Sequence, residues 1–260
     1  MKSSILAHDD SRLLEEAIIR YGDVVSFEQL AALSGLERAY TRKRVSRLVQ
    51  QGWLVRLKKG VYSLADLSSR GSVRLSQYTL AQLLVADSYV SFEAALQYHG
   101  WYDQLLQTIT SVARTQYKAT TIDGYTYRFV KTQAAFFYGW EQHLVDQREV
   151  KIAAAEKALL DLVMFHRTIY TVDLVMETLQ TYHEELDKVR FIEYLAQSTV
   201  TIQRVFGFLF DLVGLEVQPI QALVASTKGT SKLTRESTLF SPKWYLYYEP
   251  HFCKYQAIAH

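Results

Sequence analysis

The hydrophobic positions of the first thirty-four residues recur at helical spacing in two segments, and each segment opens on a serine that can cap a helix. The first predicted helix runs from Ser11 to Tyr21 and ends at Gly22-Asp23. The second begins at Ser26 and presents a face of four apolar residues: Phe27, Leu30, Ala31 and Leu33. Because short helices gain most of their stability from tertiary packing, we expect both to pack against further elements of one domain.

A third helix and a β-hairpin are predicted next. The turn Ser34-Gly35-Leu36 places glycine where a positive φ is favoured, and it leads into a helix from about Glu37 to Gln51. Two short β-prone runs, 53–57 and 61–64, lie on either side of Lys58-Lys59-Gly60, which is typical of a hairpin. The order helix, helix, turn, helix, hairpin predicts a winged helix-turn-helix.

The third helix has two chemically different faces. Its apolar face, expected to pack on the first two helices, contains Thr41, Val45, Leu48 and Val49. Arginine and glutamine can make bidentate contacts with the edges of guanine and adenine, so the opposite face is suited to reading DNA. The predicted DNA-binding residues of this helix are Tyr40, Lys43, Arg44 at the edge, Ser46, Arg47 and Gln50. Lys58 and Lys59, at the tip of the predicted wing, are expected to reach phosphates.

The distribution of charge favours this interpretation. Residues 37–60 contain eight Lys or Arg and one Glu, a net charge of +7, whereas the whole chain carries +2 and the remaining residues therefore sum to −5. A winged helix used only for protein contacts, or a basic helix face that is merely solvated, are the alternatives. A second basic segment, from Lys228 to Lys232, lacks the spacing of a phosphate-binding loop. We expect a flexible loop there, with Lys228 and Lys232 as possible additional contacts to nucleic acid.

The remainder of the chain predicts a larger, mixed α/β region, so that the fold class as a whole is α+β. The polar stretch 68–72 is the expected linker, and it divides the chain into a winged helix-turn-helix at 1–68 and a second domain at 73–260. Helices are predicted at 78–85, 91–98, 151–165, 172–183, 187–197 and 201–212, with Ser91 as a cap. Strands are predicted at 107–114, 117–121, 125–130, 136–140 and 244–248, with a hairpin turn at Asp123-Gly124.

Candidate chemistry in this second region is sparse. The seven histidines are scattered without metal-ligand spacing, and the pair His251 and Cys253 is interpreted as chance. Glu156 and Asp161 are five residues apart, which suits surface salt bridges or caps better than paired-carboxylate catalysis. His99 is expected at the end of a helix. We predict no catalytic residues, no metal and no cofactor, and hence a protein that is not an enzyme.

Cellular location is indicated by two further features. The single cysteine excludes an intrachain disulfide, which fits a reducing compartment. The N-terminal segment has too few apolar residues for a signal peptide, and the longest apolar run, 205–213, is too short to span a membrane and contains an aspartate. The expectation is a soluble cytoplasmic protein.

Four segments of the chain resemble one family. The stretch SFEQLAALSGLERAYTRKRVSRLVQQGWLVRLKKGVYSL is similar to the winged helix of AbiEi-type proteins, the antitoxin and regulator component of abortive-infection AbiE toxin–antitoxin systems. The resemblance continues, in the expected order, through YVSFEAALQYHGW, KIAAAEKALLDLV and SPKWYLYYE. It therefore extends over most of the chain.

The resemblance implies a specific function. Such proteins repress their own operon by binding inverted repeats in its promoter, and they neutralise a nucleotidyltransferase-like toxin, in several members without a stable complex. Only DNA binding is supported independently by the residues themselves. The alternatives are a stand-alone transcription regulator whose second domain senses a ligand or partner, and an enzyme, such as a nuclease, carried on a DNA-binding module. The absence of an acidic or metal-ligand cluster in the sequence disfavours the enzyme.

Overall fold

The computed structural model describes residues 6–65 and 70–258. The chain forms two compact units, one made of Met1–Ala86 with Thr121–Tyr125 and the other of Asp87–Thr120 with Thr126–His260. Ser68 and Ser69 of the predicted linker lie outside the described residues. The division into domains at 1–68 and 73–260 therefore stays a prediction.

The first unit is a winged helix-turn-helix, as the sequence predicts. Its elements are α1 (His8–Tyr21), β1 (Val24–Ser26), α2 (Phe27–Ser34), α3 (Arg38–Gln50), β2 (Leu54–Lys58), β3 (Val61–Leu64) and α4 (Gln77–Leu84). The three strands form an antiparallel sheet in the order β1-β3-β2. A core of ten buried residues joins the helices to this sheet: Leu13, Leu14, Ala17, Val25, Leu30, Val45, Leu48, Trp53, Leu54 and Leu64.

Local sequence explains most boundaries in this unit. Ser26 caps α2 in a reciprocal capping box with Gln29, which satisfies two backbone N–H groups at once. Gly35 ends α2 with φ 62° and ψ 6°, a left-handed conformation that favours glycine. The predicted cap of α1 is wrong: the helix begins at His8, and Ser11 lies inside it and donates to Glu15 Oε1 at 3.1 Å. Strand β1 was not predicted, because three residues are too few to show an alternating pattern.

The second unit combines strands and helices. Its strands are β4 (Ser88–Val90), β5 (Thr108–Ala113), β7 (Tyr125–Lys131), β8 (Trp140–Val145), β9 (Arg148–Ala153), β10 (Ser231–Lys232), β11 (Leu239–Ser241) and β12 (Leu246–Tyr248). Strand β6 (Thr120–Ile122) lies at the boundary, because only Thr120 of its residues belongs to this unit. Its helices are α5 (Phe92–Tyr98), α6 (Ala155–Phe165), α7 (Ile169–Tyr182), α8 (Lys188–Ala196), α9 (Val200–Leu212) and α10 (Gln218–Val224), with 3₁₀ segments at Ala134–Phe136 and Pro250–Ile258.

Two mixed sheets organise these elements. The larger has the order β6-β7-β5-β4-β9-β8, with β5 parallel to β7 and β4 parallel to β9. The smaller has the order β10-β12-β11, so that β12 is its central strand. The predicted turn between β6 and β7 is confirmed, since Asp123 and Gly124 both have positive φ, 50° and 82°.

Several boundaries in the second unit differ from the predictions. The strand predicted at 136–140 is a 3₁₀ turn followed by β8, which only begins at Trp140. The helix predicted from residue 151 begins at Ala155, because Arg148–Ala153 pairs with β8 as β9. The strand predicted at 244–248 covers only Leu246–Tyr248, and α10 was not predicted. Ser91 occupies the N-cap position of α5, but its hydroxyl does not cap the helix.

Helix α9 packs closely against the indole ring of Trp244. Trp244 is 1% exposed, and its Nε1 donates to Asp211 Oδ2 at 3.1 Å. The ring lies directly on Gly207, where a Cβ would be only 2.1 Å from Trp244 Cζ3. Glycine is therefore the residue that allows this ring to reach the helix backbone.

Candidate nucleic-acid interface

Helix α3 presents the predicted polar face to solvent. Thr41, Val45 and Leu48 are buried in the core of the first unit. On the other side the exposed residues are Tyr40, Lys43, Ser46, Arg47 and Gln50. Tyr40 is 61% exposed, and the Lys43 ammonium lies 5.8 Å from its ring centroid. The helix thus carries donors, acceptors and an aromatic ring on one open surface.

A buried carboxylate organises two arginines of α3. Asp10 of α1 has a side chain only 4% exposed, and its two oxygens take different partners. Oδ1 accepts from Arg44 Nε at 2.6 Å, and Oδ2 accepts from Arg47 Nη2 at 2.8 Å. Arg44 also donates to the backbone carbonyl of Asp9. A carboxylate removed from water needs such charged partners, so this cluster joins α1 to α3.

The side chains of Arg44 and Arg47 differ in how much of each is exposed to solvent. The Arg44 side chain is 14% exposed, whereas that of Arg47 is 55% exposed. Arg44 therefore lies mostly against α1. Arg47 is oriented by one hydrogen bond and presents the rest of its guanidinium to solvent. The sequence assigned both to the polar face, but did not indicate that Asp10 would hold them.

A second ion pair joins α2 to α3. Arg38 donates to both carboxylate oxygens of Glu28, at 2.9 and 2.7 Å, and its guanidinium lies 5.2 Å from the Phe27 ring centroid. Both charged side chains are more than half exposed, so the pair stabilises the turn only modestly. Of the eight basic residues in the segment 37–60, Arg38, Arg44 and Arg47 are thus engaged in ion pairs within the unit.

The wing carries two lysines with different surroundings. Lys58 Nζ donates to the backbone oxygens of Leu83 at 2.6 Å and Leu84 at 3.4 Å, at the C-terminal end of α4. This is the end of a helix that attracts cations. Lys59, one residue on, is exposed and makes no ion pair or hydrogen bond within residues 6–65 and 70–258. Lys59 is therefore the freer of the two predicted phosphate contacts.

The additional predicted contacts, Lys228 and Lys232, lie in the second unit, and both are exposed. The loop between them is held by Arg204, a residue only 2% exposed. Arg204 donates to the Lys228 carbonyl at 3.3 Å and to Ser231 Oγ at 3.2 Å. Ser231 and Lys232 then form β10. The loop is therefore anchored by Arg204, and Lys232 lies in a short strand where a loop was expected.

The carboxylates predicted to form surface salt bridges or caps are both buried. Asp161 is 0% exposed; its Oδ2 accepts from Ser91 Oγ at 2.7 Å and from the Tyr89 hydroxyl at 3.1 Å, and Lys157 pairs with its Oδ1. Burial, and then the charge of Asp161, raise the pKa of Tyr89 well above its ordinary value. Glu156, 3% exposed, accepts from the Asp187 backbone N–H at 3.0 Å. Both carboxylates are therefore buried, and they hold elements of the second unit together.

The histidines singled out in the sequence also make contacts within the fold. His99 follows α5 directly, and its Nε2 lies 2.8 Å from the Ala153 carbonyl oxygen. His251 pairs with Asp173 at 2.6 Å, and not with Cys253. Within the described part of the chain, no group of three or more His, Cys, Asp or Glu residues could hold a metal ion. Nor does any helix there have the length and apolar character needed to cross a membrane.

Comparison with known proteins adds a family to this geometry. Residues 12–65 match the family described as "Transcriptional regulator, AbiEi antitoxin". This confirms the resemblance over those residues. The matched range extends from α1 through β3, so the AbiEi-type segment is the winged helix-turn-helix that carries the exposed face of α3. It is a regulatory family rather than a family of enzymes. No curated protein matches the sequence at a significant level.

One solved structure is similar over nearly the whole chain. It is the RV2827C protein from Mycobacterium tuberculosis, which superposes with a TM-score of 0.67 over 94% of this chain and 92% of that protein, at 16% sequence identity. At this identity the likeness concerns the fold alone. The likeness in fold therefore extends beyond the AbiEi-type segment.

Proposed function

We propose that this protein is a DNA-binding autorepressor and antitoxin that acts in the cytoplasm on its own operon. Helix α3 enters the major groove of its promoter, where inverted repeats are expected, and Arg47 contacts a base edge. The observation that carries the proposal is the exposed polar face of α3, on which Asp10 fixes Arg47 at 2.8 Å. An arginine held before binding loses less side-chain entropy when it contacts DNA.

The residues of α3 and the wing divide into two roles in this proposal. Gln50, Ser46, Tyr40 and Lys43 lie with Arg47 on the exposed side of the helix and read or contact the groove. Arg44 orients Asp10 and, through it, Arg47. Lys59 contacts a phosphate, and Lys58 fixes the wing on α4 while its charge adds to the local field.

Salt dependence tests the DNA-binding part. If about five to eight phosphates are contacted, the logarithm of the affinity for the promoter falls with the logarithm of salt concentration with a slope of roughly −4 to −7. Fluorescence anisotropy of a labelled promoter duplex at several salt concentrations measures this slope. A slope near zero would contradict an interface built on the basic segment 37–60.

The antitoxin part rests on the AbiEi-type segment and on the resemblance of the other three segments. The expected toxin is nucleotidyltransferase-like and encoded beside this gene. Co-expression with the neighbouring reading frame should restore growth that the toxin alone prevents. By the same resemblance, a soluble fragment from about residue 72 onward should retain most of the rescue. A fragment of residues 1–68, which contains the basic segment, should retain some DNA affinity. Rescue by the N-terminal fragment alone would contradict this division.

A stand-alone transcription regulator with a ligand-sensing second unit is the alternative. One observation favours it, a large open cavity in the second unit lined by basic residues. The neighbouring gene separates the two possibilities, because only the antitoxin requires a toxin reading frame beside it.

A further inference from the structure

The second unit contains a basic cavity of about 810 Å³, which is within the size range of small-molecule sites. It lies between the end of α6, the start of α7 and the segment that follows β10. Three cationic residues line it, Arg167, Lys232 and Arg235, against one carboxylate, Glu236. Three positive charges and one negative charge leave a net charge of +2 when His166 is neutral.

The cations of the cavity lining come from two separate segments that are held together. Arg167 Nη1 donates to the backbone oxygen of Lys232 at 3.2 Å, which fixes the connection after α6 against β10. Lys232 and Arg235 are exposed, and neither side chain makes an ion pair with the residues that the structure describes. Their charges are therefore available to a ligand, and not neutralised by a neighbouring carboxylate.

Two further features add to the positive potential. The first residues of α7, including its N-cap Thr168, line the cavity, so the positive end of the helix dipole lies beside the cations. Burial, and then the nearby Arg128, lower the pKa of His166, against the opposing effect of Glu93. His166 is therefore neutral at pH 7, and the anion-binding charge comes from Arg167, Lys232 and Arg235.

The cavity lining also includes apolar and aromatic residues. Met164, Phe165 and Ile169 contribute to its lining, and Tyr170, 63% exposed, is a solvent-facing ring at the start of α7. A cavity that combines clustered cations with an aromatic ring suits a ligand that has a phosphate at one end and a planar or apolar group at the other. Inorganic phosphate alone would leave the apolar and aromatic residues of the lining unused.

We propose that this cavity binds a phosphorylated small molecule, with its phosphate on Arg167, Lys232 and Arg235 and its apolar part against Tyr170. The site lies in the unit that does not contain the winged helix-turn-helix, and its occupancy does not depend on the DNA-binding proposal. It gives the second unit a ligand-binding function of its own.

Isothermal titration calorimetry with the full chain tests this proposal, with ATP, pyrophosphate and adenosine as probes. We expect saturable binding of ATP, weaker binding of pyrophosphate and no binding of adenosine. The double substitution Lys232→Ala with Arg235→Ala should weaken ATP binding at least about tenfold. Tyr170→Ala should weaken ATP binding but leave pyrophosphate binding unchanged. Lys118→Ala, which removes an exposed lysine of the same unit outside the cavity lining, is the matched control and should have no effect.

Three results would overturn the proposal. The first is no saturation by ATP or pyrophosphate at millimolar concentration. The second is equal binding of adenosine and ATP, which would remove the phosphate from recognition. The third is ATP binding that the double substitution leaves unchanged, which would place the ligand elsewhere. If the double substitution instead reduces affinity for promoter DNA and not for ATP, the cations serve the nucleic acid and the small-molecule site is refuted.

Discussion

Asp10 and Arg47 lie 37 residues apart in sequence, yet Asp10 Oδ2 accepts a hydrogen bond from Arg47 Nη2 at 2.8 Å. The same carboxylate holds Arg44 through its other oxygen at 2.6 Å. A residue of α1 thus sets the geometry of the helix proposed to read DNA. Because Asp10 is buried and Arg47 is not, the carboxylate acts on recognition only through the arginine.

Substitution of Asp10 by Asn should cost both stability and sequence preference. It removes the negative charge that compensates the mostly buried Arg44, and we expect the free energy of unfolding to fall by about 2–4 kcal/mol. Urea denaturation measures this loss. Asp9→Asn is the matched control, because it removes the same charge from an exposed neighbour. Equal stability of the two variants would show that the Asp10 cluster does not support the fold.

Replacing each of the two wing lysines by alanine should have different effects on DNA binding and on stability. Lys59→Ala should weaken binding to promoter and random duplexes equally and reduce the salt slope by about 1, with no change in stability. Lys58→Ala should also lower the free energy of unfolding, by about 0.5–1 kcal/mol, because it removes the bonds to the α4 carbonyls. Thermal denaturation and anisotropy together measure both effects. A stability loss in Lys59→Ala and none in Lys58→Ala would reverse the assignment.

Gly207→Ala should destabilise the second unit. The added Cβ would meet the Trp244 ring at 2.1 Å, so the indole must move and strain its hydrogen bond with Asp211. We expect a loss of about 1–3 kcal/mol, and a larger loss for Gly207→Ser. Intrinsic tryptophan fluorescence during urea unfolding reports the change. A variant within about 0.5 kcal/mol of the parent protein would refute this packing.

Ionisation of Asp173 should make the free energy of unfolding depend on pH in the acid range. Burial alone would raise its pKa, but hydrogen bonds from Tyr255, Lys254 and His251 outweigh it, so its folded pKa is below the ordinary 3.8. The stabilisation is therefore complete above about pH 4, and it is lost as the pH falls through the folded pKa.

The test is the variant Asp173→Asn. It should lower the free energy of unfolding by about 1 kcal/mol at pH 7, because it weakens the bonds with His251 and Tyr255. Its deficit relative to the parent protein should shrink as the pH is lowered below 4. A deficit that is constant from pH 7 to pH 3 would contradict the role of the ionised carboxylate.

The sequence was sufficient to predict the elements whose local patterns are strong. The apolar face of α3, the helix cap at Ser26 and the glycine turn at Gly35 all act within a few residues, and each is confirmed. The contacts that complete the candidate interface depend on residues distant in sequence. Asp10 lies just before the predicted start of the first helix, and its burial arises only when α1 packs on α3.

The other errors of the sequence prediction have the same origin. Residues 151–153 continue into an alanine-rich segment with strong helix propensity, but pairing with β8 and β4 keeps them in a strand until Ala155. Lys58 looks like a solvent-exposed wing lysine, because the end of α4 that accepts its hydrogen bonds lies 25 residues further along the chain. Tertiary pairing, and not local preference, decides these positions.

The most direct test of the account compares Arg47→Ala with the parent protein on two labelled duplexes, its own promoter and a scrambled sequence of equal length. Because Arg47 is the exposed, pre-oriented arginine of α3, its loss should cost about 1–3 kcal/mol on the promoter and much less on the scrambled duplex. Arg20→Ala, an exposed arginine of α1, is the charge-matched control and should keep the preference. If Arg47→Ala retains the full preference for the promoter, α3 does not read DNA through this residue and the central claim is contradicted.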